Sequence, residues 1–182
     1  MKARPQILKG RLIPIINENH VLYDNIDTDM IYHNAHLAVT DIALMGKYAF
    51  GNLDNWQSFG KEDHANDILV VGRNFGAGSS RQHAVDCFIS MGVLAIIAES
   101  FGAIYKRNAI NSGFPIIEAP DLVSRFNENK DLFLSRPICR ANLAQGELAL
   151  ETRTFTLKPF SQVQMAIYQA GSLFDYGKSL VQ

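Results

Sequence analysis

Apolar positions in the middle of this chain form short continuous runs separated by amphipathic stretches, while toward both ends apolar and polar residues alternate more loosely. Ile68 to Val71 is compact, β-branched and closed by Gly72, which predicts a buried strand. Val93 to Ala98 predicts a second buried strand and Pro115 to Ile117 a third. Between them, Gln82 to Met91 carries Val85, Phe88 and Ile89 as a core-facing helical stripe ending at Gly92, and Ala103 to Asn111 reads as another helix. The order strand, loop, helix, strand predicts a right-handed parallel βαβ unit. Leu8 to Tyr23 alternates apolar patches with Gly10, Pro14 and the polar Asn17-Glu18-Asn19, which predicts two short strands joined by a turn. Asp41 stands as the cap of a short helix through Tyr48, weakened by Gly46. The polar stretch from Gly51 to Asn66, which holds Trp56, reads as a mobile or interface loop. Farther on, Asp121 to Asn129 looks helical, and Glu147 to Leu157 alternates as a half-exposed hairpin or edge strand. Ser161 to Leu173 has a helical pattern through Val163, Ala166, Ile167 and Ala170. The fold class is α/β, in one domain over residues 1–182 without repeats or a linker.

Composition narrows the function classes. With 47% apolar and 19% charged residues the chain reads as an ordinary globular protein. A formal charge of −1 offers no broad surface for nucleic acid, though a local basic pocket remains compatible with it. No apolar run reaches membrane-spanning length, and Met1-Lys2-Ala3-Arg4-Pro5 leads into no signal-peptide core, so cytoplasm is the expected compartment. Cys87 and Cys139 are far apart and form no C-x-x-C pair; they read as buried small hydrophobes.

The chemistry concentrates after the first buried strand, in G-R-N-F-G-A-G-S-S-R-Q-H-A from Gly72 to Ala84. Gly76 and Gly78 permit backbone that a Cβ forbids. Ser79 and Ser80 stand where a helix cap is expected, and Arg81 adds a planar fork suited to a carboxylate or phosphate. Such a strand, glycine loop and helix start favours an anion. The spacing fits neither the phosphate loop G-x-x-x-x-G-K-[ST] nor the dinucleotide G-x-G-x-x-G. Asp24-Asn25-Ile26-Asp27-Thr28-Asp29 sets three carboxylates close together but lacks the later Gly and Glu of an EF-hand. His33 and His36 are three apart with no further ligand set, so no metal site is expected.

The loop from Gly72 to Ala84 resembles the signature of the aconitase-family swivelling domain, in particular the free-standing small subunits of 3-isopropylmalate dehydratases. D-N-I-D-T-D, from Asp24 to Asp29, is similar to a second signature of that family. S-F-G-A-I-Y-K-R-N-A-I-N-S-G-F-P, from Ser100, resembles a third, in the same order along the chain. The resemblance covers nearly the whole sequence and implies a three-layer β/β/α aconitase-type swivelling domain. It implies Ser79 as the base that takes a substrate proton, with Ser80 and Arg81 holding a substrate carboxylate. It further implies that Asp29 enters the active site and that His36, Leu37 and Ala38 fall on the residues that select the substrate side group. Charge on the departing hydroxyl is met in the family by the open iron of a [4Fe–4S] cluster. Two cysteines are too few to hold one, so a cluster-bearing large subunit is the expected partner and no cofactor or metal is expected on this chain.

The implied reaction interconverts 2-isopropylmalate and 3-isopropylmalate, small dicarboxylates of leucine biosynthesis, by dehydration and rehydration. A homoaconitase-type or methyl-substituted malate hydro-lyase small subunit is the alternative within the mechanism. A stand-alone anion-binding regulatory module is the alternative outside it. Ala77 and Gln82 depart from the family's usual Cys and Glu at those places. Arginine follows the leucine in homoaconitase-type members, whereas this chain has Ala38, which favours a branched alkyl group over a third carboxylate.

Overall fold

A computed structural model describes residues 3–181. The sequence folds into a seven-stranded sheet in the order β4-β3-β2-β1-β5-β6-β7. Strands β1 (Ile7–Pro14), β2 (Asp67–Val70), β3 (Ala95–Ala98) and β4 (Ile116–Glu118) run parallel. Strands β5 (Ile138–Asn142), β6 (Glu147–Leu150) and β7 (Arg153–Thr156) continue as an antiparallel meander beyond β1. β1 therefore joins the two halves, with Arg11 in register with Asp67 on one side and Ile7 with Asn142 on the other.

Every residue of β2 and β3 is buried, which is why these strands read as unbroken apolar runs. Side chains alternate between two cores. Leu69, Val71, Ile96 and Ala98 face a cluster with Ala84, Val85, Cys87 and Phe88 of helix α2 (His83–Ser90) and Tyr105 and Ala109 of helix α3 (Ala103–Asn111). Ile68, Val70, Ala95 and Ile97 share the second cluster with Ala141, Leu148, Leu150 and Phe155 of the antiparallel half. The sheet curls so that its two halves face one another, which gives the β/β/α layering the sequence resemblance implies. Each fully buried Ile, Leu or Phe contributes about 1.5–3 kcal/mol.

Several elements differ from the sequence-based expectation. Ser79 and Ser80 do not cap α2: Gln82 precedes the helix in helical conformation and makes no side-chain cap bond. Ile89 is exposed, because Ala84 and Cys87 complete the buried face in its place. Val163 is likewise exposed on helix α6 (Gln162–Ala170), whose buried residues are Ile167 and Tyr168. The stretch from Gly51 to Asn66 is not a loose loop, since Leu53 and Phe59 are buried and Trp56 donates from its indole to the Ile16 carbonyl at 2.8 Å. Asp121 to Asn129 divides into helix α4 (Pro120–Ser124) and a 3₁₀ turn at Asn127–Asn129. Strand β5, helix α5 (Lys130–Leu134) and helix α7 (Leu173–Val181) have no counterpart in the pattern reading. The matching expectations are Ala103–Asn111 as a helix, Glu147 to Leu157 as a hairpin, and Asp41 as a cap, here accepting from the Ala43 N–H. No helix among the described residues is long and apolar enough to cross a membrane.

Candidate functional site

The Ser loop leaves the carboxyl end of β2, where open parallel sheets place their ligands. Short bridges extend the sheet there, Phe75 with Phe101 and Asp27 with Ala77. Gly76 lies at φ +74°, and a Cβ on it would come within 2.2 Å of the Tyr105 ring, so the loop closes over buried Tyr105 only with glycine there. Its N–H donates to the Ile26 carbonyl at 2.7 Å, and the Thr28 N–H donates to Ala77 at 2.9 Å. These bonds lay the acidic motif alongside the Ser loop.

Asp27 organises the acidic side. One of its carboxylate oxygens accepts from the N–H groups of Asp29 and Met30, both at 2.8 Å, and caps the single-turn helix α1 (Thr28–Ile31). That cap fixes Asp29, whose Oδ1 accepts from Arg81 Nη1 at 2.5 Å and from the Asn34 N–H at 3.2 Å. Asp29 Oδ2 accepts from Asn52 Nδ2 at 3.2 Å, with His33 Nε2 at 3.8 Å. The Arg81 hydrogen bond is the chief cause that holds the Asp29 carboxyl below its usual range; burial opposes it, and the Asn34 N–H and nearby positive charge assist. Arg81 Nη1 also donates to the Tyr32 carbonyl at 3.2 Å. No described residue accepts from its Nε or Nη2, which leaves that edge of the guanidinium without a partner among the described residues.

Gly78, Ser79 and Ser80 are exposed, which makes this side of the site an open rim. The Ser79 carbonyl accepts from the Arg81 N–H at 3.0 Å, while its hydroxyl bonds to no described residue. Nor do the N–H groups of Gly78, Ser79 and Ser80 donate to a described residue; they are backbone donors beside the serines, in place of the expected helix cap. The Ser80 hydroxyl has one neighbour, Asn108 Nδ2, at a long 3.5 Å.

The third predicted group approaches through its backbone. His83 Nε2 lies 3.2 Å from the Val39 carbonyl, which ties the segment from Tyr32 to Thr40 to the helix that follows the Ser loop. Within that segment the buried Tyr32 donates to the His36 carbonyl at 3.2 Å, and burial pushes its phenol up to about 12. His36 stacks on Tyr48 at 4.0 Å between ring centroids, leaving Leu37 and Ala38 exposed. All three groups of candidate residues thus share one edge of the molecule. Sequence reading assigned no site role to Asn52 or Tyr48. Nothing in the local sequence marks either one, because both reach the site through contacts with distant segments.

Residues 18–121 match the aconitase C-terminal domain family. The small subunit of 3-isopropylmalate dehydratase from Caldicellulosiruptor saccharolyticus is 37% identical over 161 residues, 87% of this chain and 88% of that one. The chain belongs to this small-subunit family. The Pyrobaculum islandicum member is 39% identical over 175 residues, 95% of this chain and 98% of its own length. The crystal structure of 3-isopropylmalate dehydratase from Methanocaldococcus jannaschii superposes with a TM-score of 0.80 at 31% identity, covering 96% of this chain and 95% of that one. Membership agrees with the swivelling-domain architecture and with the three motifs, which the fold gathers at one edge.

The cysteines do not fit a cluster-binding role. Cys87 and Cys139 are fully buried in different cores, and burial drives both thiols upward, Cys139 to about 12. Thiolates are what an iron cluster requires.

Proposed function

We propose that this chain is the small subunit of a hydro-lyase that interconverts 2-isopropylmalate and 3-isopropylmalate in leucine biosynthesis, acting with a large subunit. The single observation that carries the reading is the ion pair between Asp29 and Arg81, which joins two family motifs 52 residues apart at one site. The Lewis acid that accepts the departing hydroxyl belongs to the large subunit, as an iron–sulfur cluster.

In this reading Ser79 Oγ takes the proton from the carbon next to a substrate carboxylate. A serine hydroxyl is a weak acid, so its oxyanion needs fixed donors, and the N–H groups around Ser79 together with Arg81 are of that kind. Ser80 Oγ and the open edge of Arg81 hold the carboxylate, and Asp29 keeps the guanidinium aimed. The exposed pair Leu37 and Ala38 meets the substrate's side group. An isopropyl group gains about 25 cal/mol per Å² removed from water there, whereas a third carboxylate facing Ala38 would be desolvated without a cation. The test is kcat/KM of the complex reconstituted with a cluster-loaded large subunit. 3-Isopropylmalate should be preferred to homocitrate, and Ala38→Arg should depress the former. Preference of the wild-type complex for the tricarboxylate would overturn the substrate and leave the reaction class.

A further inference from the structure

The turn at Phe50 to Leu53 is built more tightly than an exposed connection requires. Phe50 is fully buried against Phe59, Phe75 and Phe88, yet its backbone lies at φ +55°, a conformation unfavourable for a bulky side chain. Its N–H donates to the Ile31 carbonyl at 2.8 Å, the last residue of the helix that carries Asp29. Leu53 is also buried, and its N–H returns to the Phe50 carbonyl at 3.0 Å. Two core anchors and a strained backbone thus hold the exposed Asn52 between them. Strain of this kind persists where the surrounding structure over-determines it, and such places cluster at functional sites.

What Asn52 touches gives the strain a purpose. Asp29 has two carboxylate oxygens, and Oδ1 is committed to Arg81 and to the Asn34 N–H. Asn52 Nδ2 holds Oδ2 at 3.2 Å and so fixes the rotation of the carboxylate. A carboxylate free to rotate would offer both oxygens to Arg81 and draw the Nε–Nη2 edge inward. A neutral amide restrains Asp29 without competing for Arg81, as an acid would, or for Asp29, as a base would.

We propose that Asn52 is a positioning residue of the active site: it fixes Asp29 so that Arg81 keeps its second edge open for the substrate carboxylate. This inference rests on the roles given above to Ser79, Asp29 and Arg81. The charged and titratable groups around Asp29 are Arg81, His33 with Nε2 at 3.8 Å, and Asp27, which caps the same turn.

The test uses the complex reconstituted with its large subunit and compares Asn52→Leu and Asn52→Asp with wild type and with Ser79→Ala. Asn52→Leu keeps the shape and removes the donor. It should lower kcat/KM about tenfold, mostly through KM, with the melting temperature of the small subunit little changed. Asn52→Asp places a second carboxylate beside Asp29, so the acid limb of the kcat/KM profile should move to higher pH. Wild-type KM in Asn52→Leu together with an unmoved acid limb in Asn52→Asp would overturn the proposal. Those results with an active wild-type complex would leave the hydro-lyase reading intact, whereas a wild-type complex without dehydratase activity would overturn that reading itself; Ser79→Ala reports separately on the base.

Discussion

Asp29 and Ser79, which we propose share one site, are held in opposite ways. Asp29 is bonded by Arg81, by Asn52 and by the Asn34 backbone, and its own N–H is fixed by the Asp27 cap. Ser79 lends only its carbonyl, to Arg81, and its hydroxyl has no described partner. The internal hydrogen bonds go to the carboxylate that pairs with Arg81, whereas the exposed Ser79 hydroxyl, the base in the proposed reaction, and its neighbouring N–H groups have no described partner. A base that must exchange a proton with substrate gains nothing from an internal bond competing for its lone pairs. A binding fork gains from being fixed in advance, because its ordering is then complete before substrate arrives.

The largest effect expected from this contrast lies on the free side. In the reconstituted complex Ser79→Ala should reduce kcat by about a thousandfold or more, at unchanged assembly and melting temperature. Turnover within a few-fold of wild type would remove Ser79 from the chemistry. The next effect concerns the loop that carries the serine. Gly76→Ala forces a Cβ into the Tyr105 ring at a left-handed φ, so urea unfolding should show a loss of about 3 kcal/mol or more. A loss below about 0.5 kcal/mol would mean the loop can move aside.

On the tied side the effects are smaller. Arg81→Lys keeps the charge but loses the fork, and should raise KM about ten- to a hundredfold with a lesser fall in kcat. An effect on kcat alone would instead place Arg81 in the proton-transfer step. The smallest effect is on stability against pH. The folded Asp29 carboxyl is depressed by Arg81, so its contribution is present above the unfolded value, about 3.9, and is lost as pH falls through the folded value. Because Asp29 is 32% exposed, solvent screening limits that contribution to about 1 kcal/mol or less. Denaturant unfolding of wild type against Arg81→Gln should therefore show a gap at neutral pH that narrows below about pH 4. A gap independent of pH would assign it to packing of the Arg81 stem.

The central βαβ elements and the three motifs were legible because each rests on local chemistry. β2 and β3 are buried on both faces and so carry unbroken apolar runs, and Asp41 caps through bonds within its own turn. The failures are places where a distant element decided the outcome. Gly51 to Asn66 looks polar in sequence because its apolar contacts with the core come from Leu53, Trp56 and Phe59, three residues apart, along a chain of i→i+3 turns too sparse in apolar residues to read as a helix or strand. β5 becomes a strand by pairing with β1, more than a hundred residues earlier, rather than through a strong pattern of its own. Ser79 and Ser80 were expected to cap a helix, and the bond from the Thr28 N–H to the Ala77 carbonyl together with the Arg81–Asp29 pair draws the loop elsewhere.

Alone, then, the sequence determined which residues are candidates for the chemistry: two serines and an arginine after a buried strand, an acidic motif before it, and too few thiols for an iron cluster. Residue type and short-range spacing suffice for that, since they set donor, acceptor and charge. Only the tertiary structure decided which carboxylate meets Arg81, which amide steadies that carboxylate, and which hydroxyl stays free. Those outcomes depend on Asp29, Asn52 and Arg81 converging from three separate segments, and convergence is fixed by packing of Phe50, Leu53 and Tyr105 in a core that no local pattern encodes.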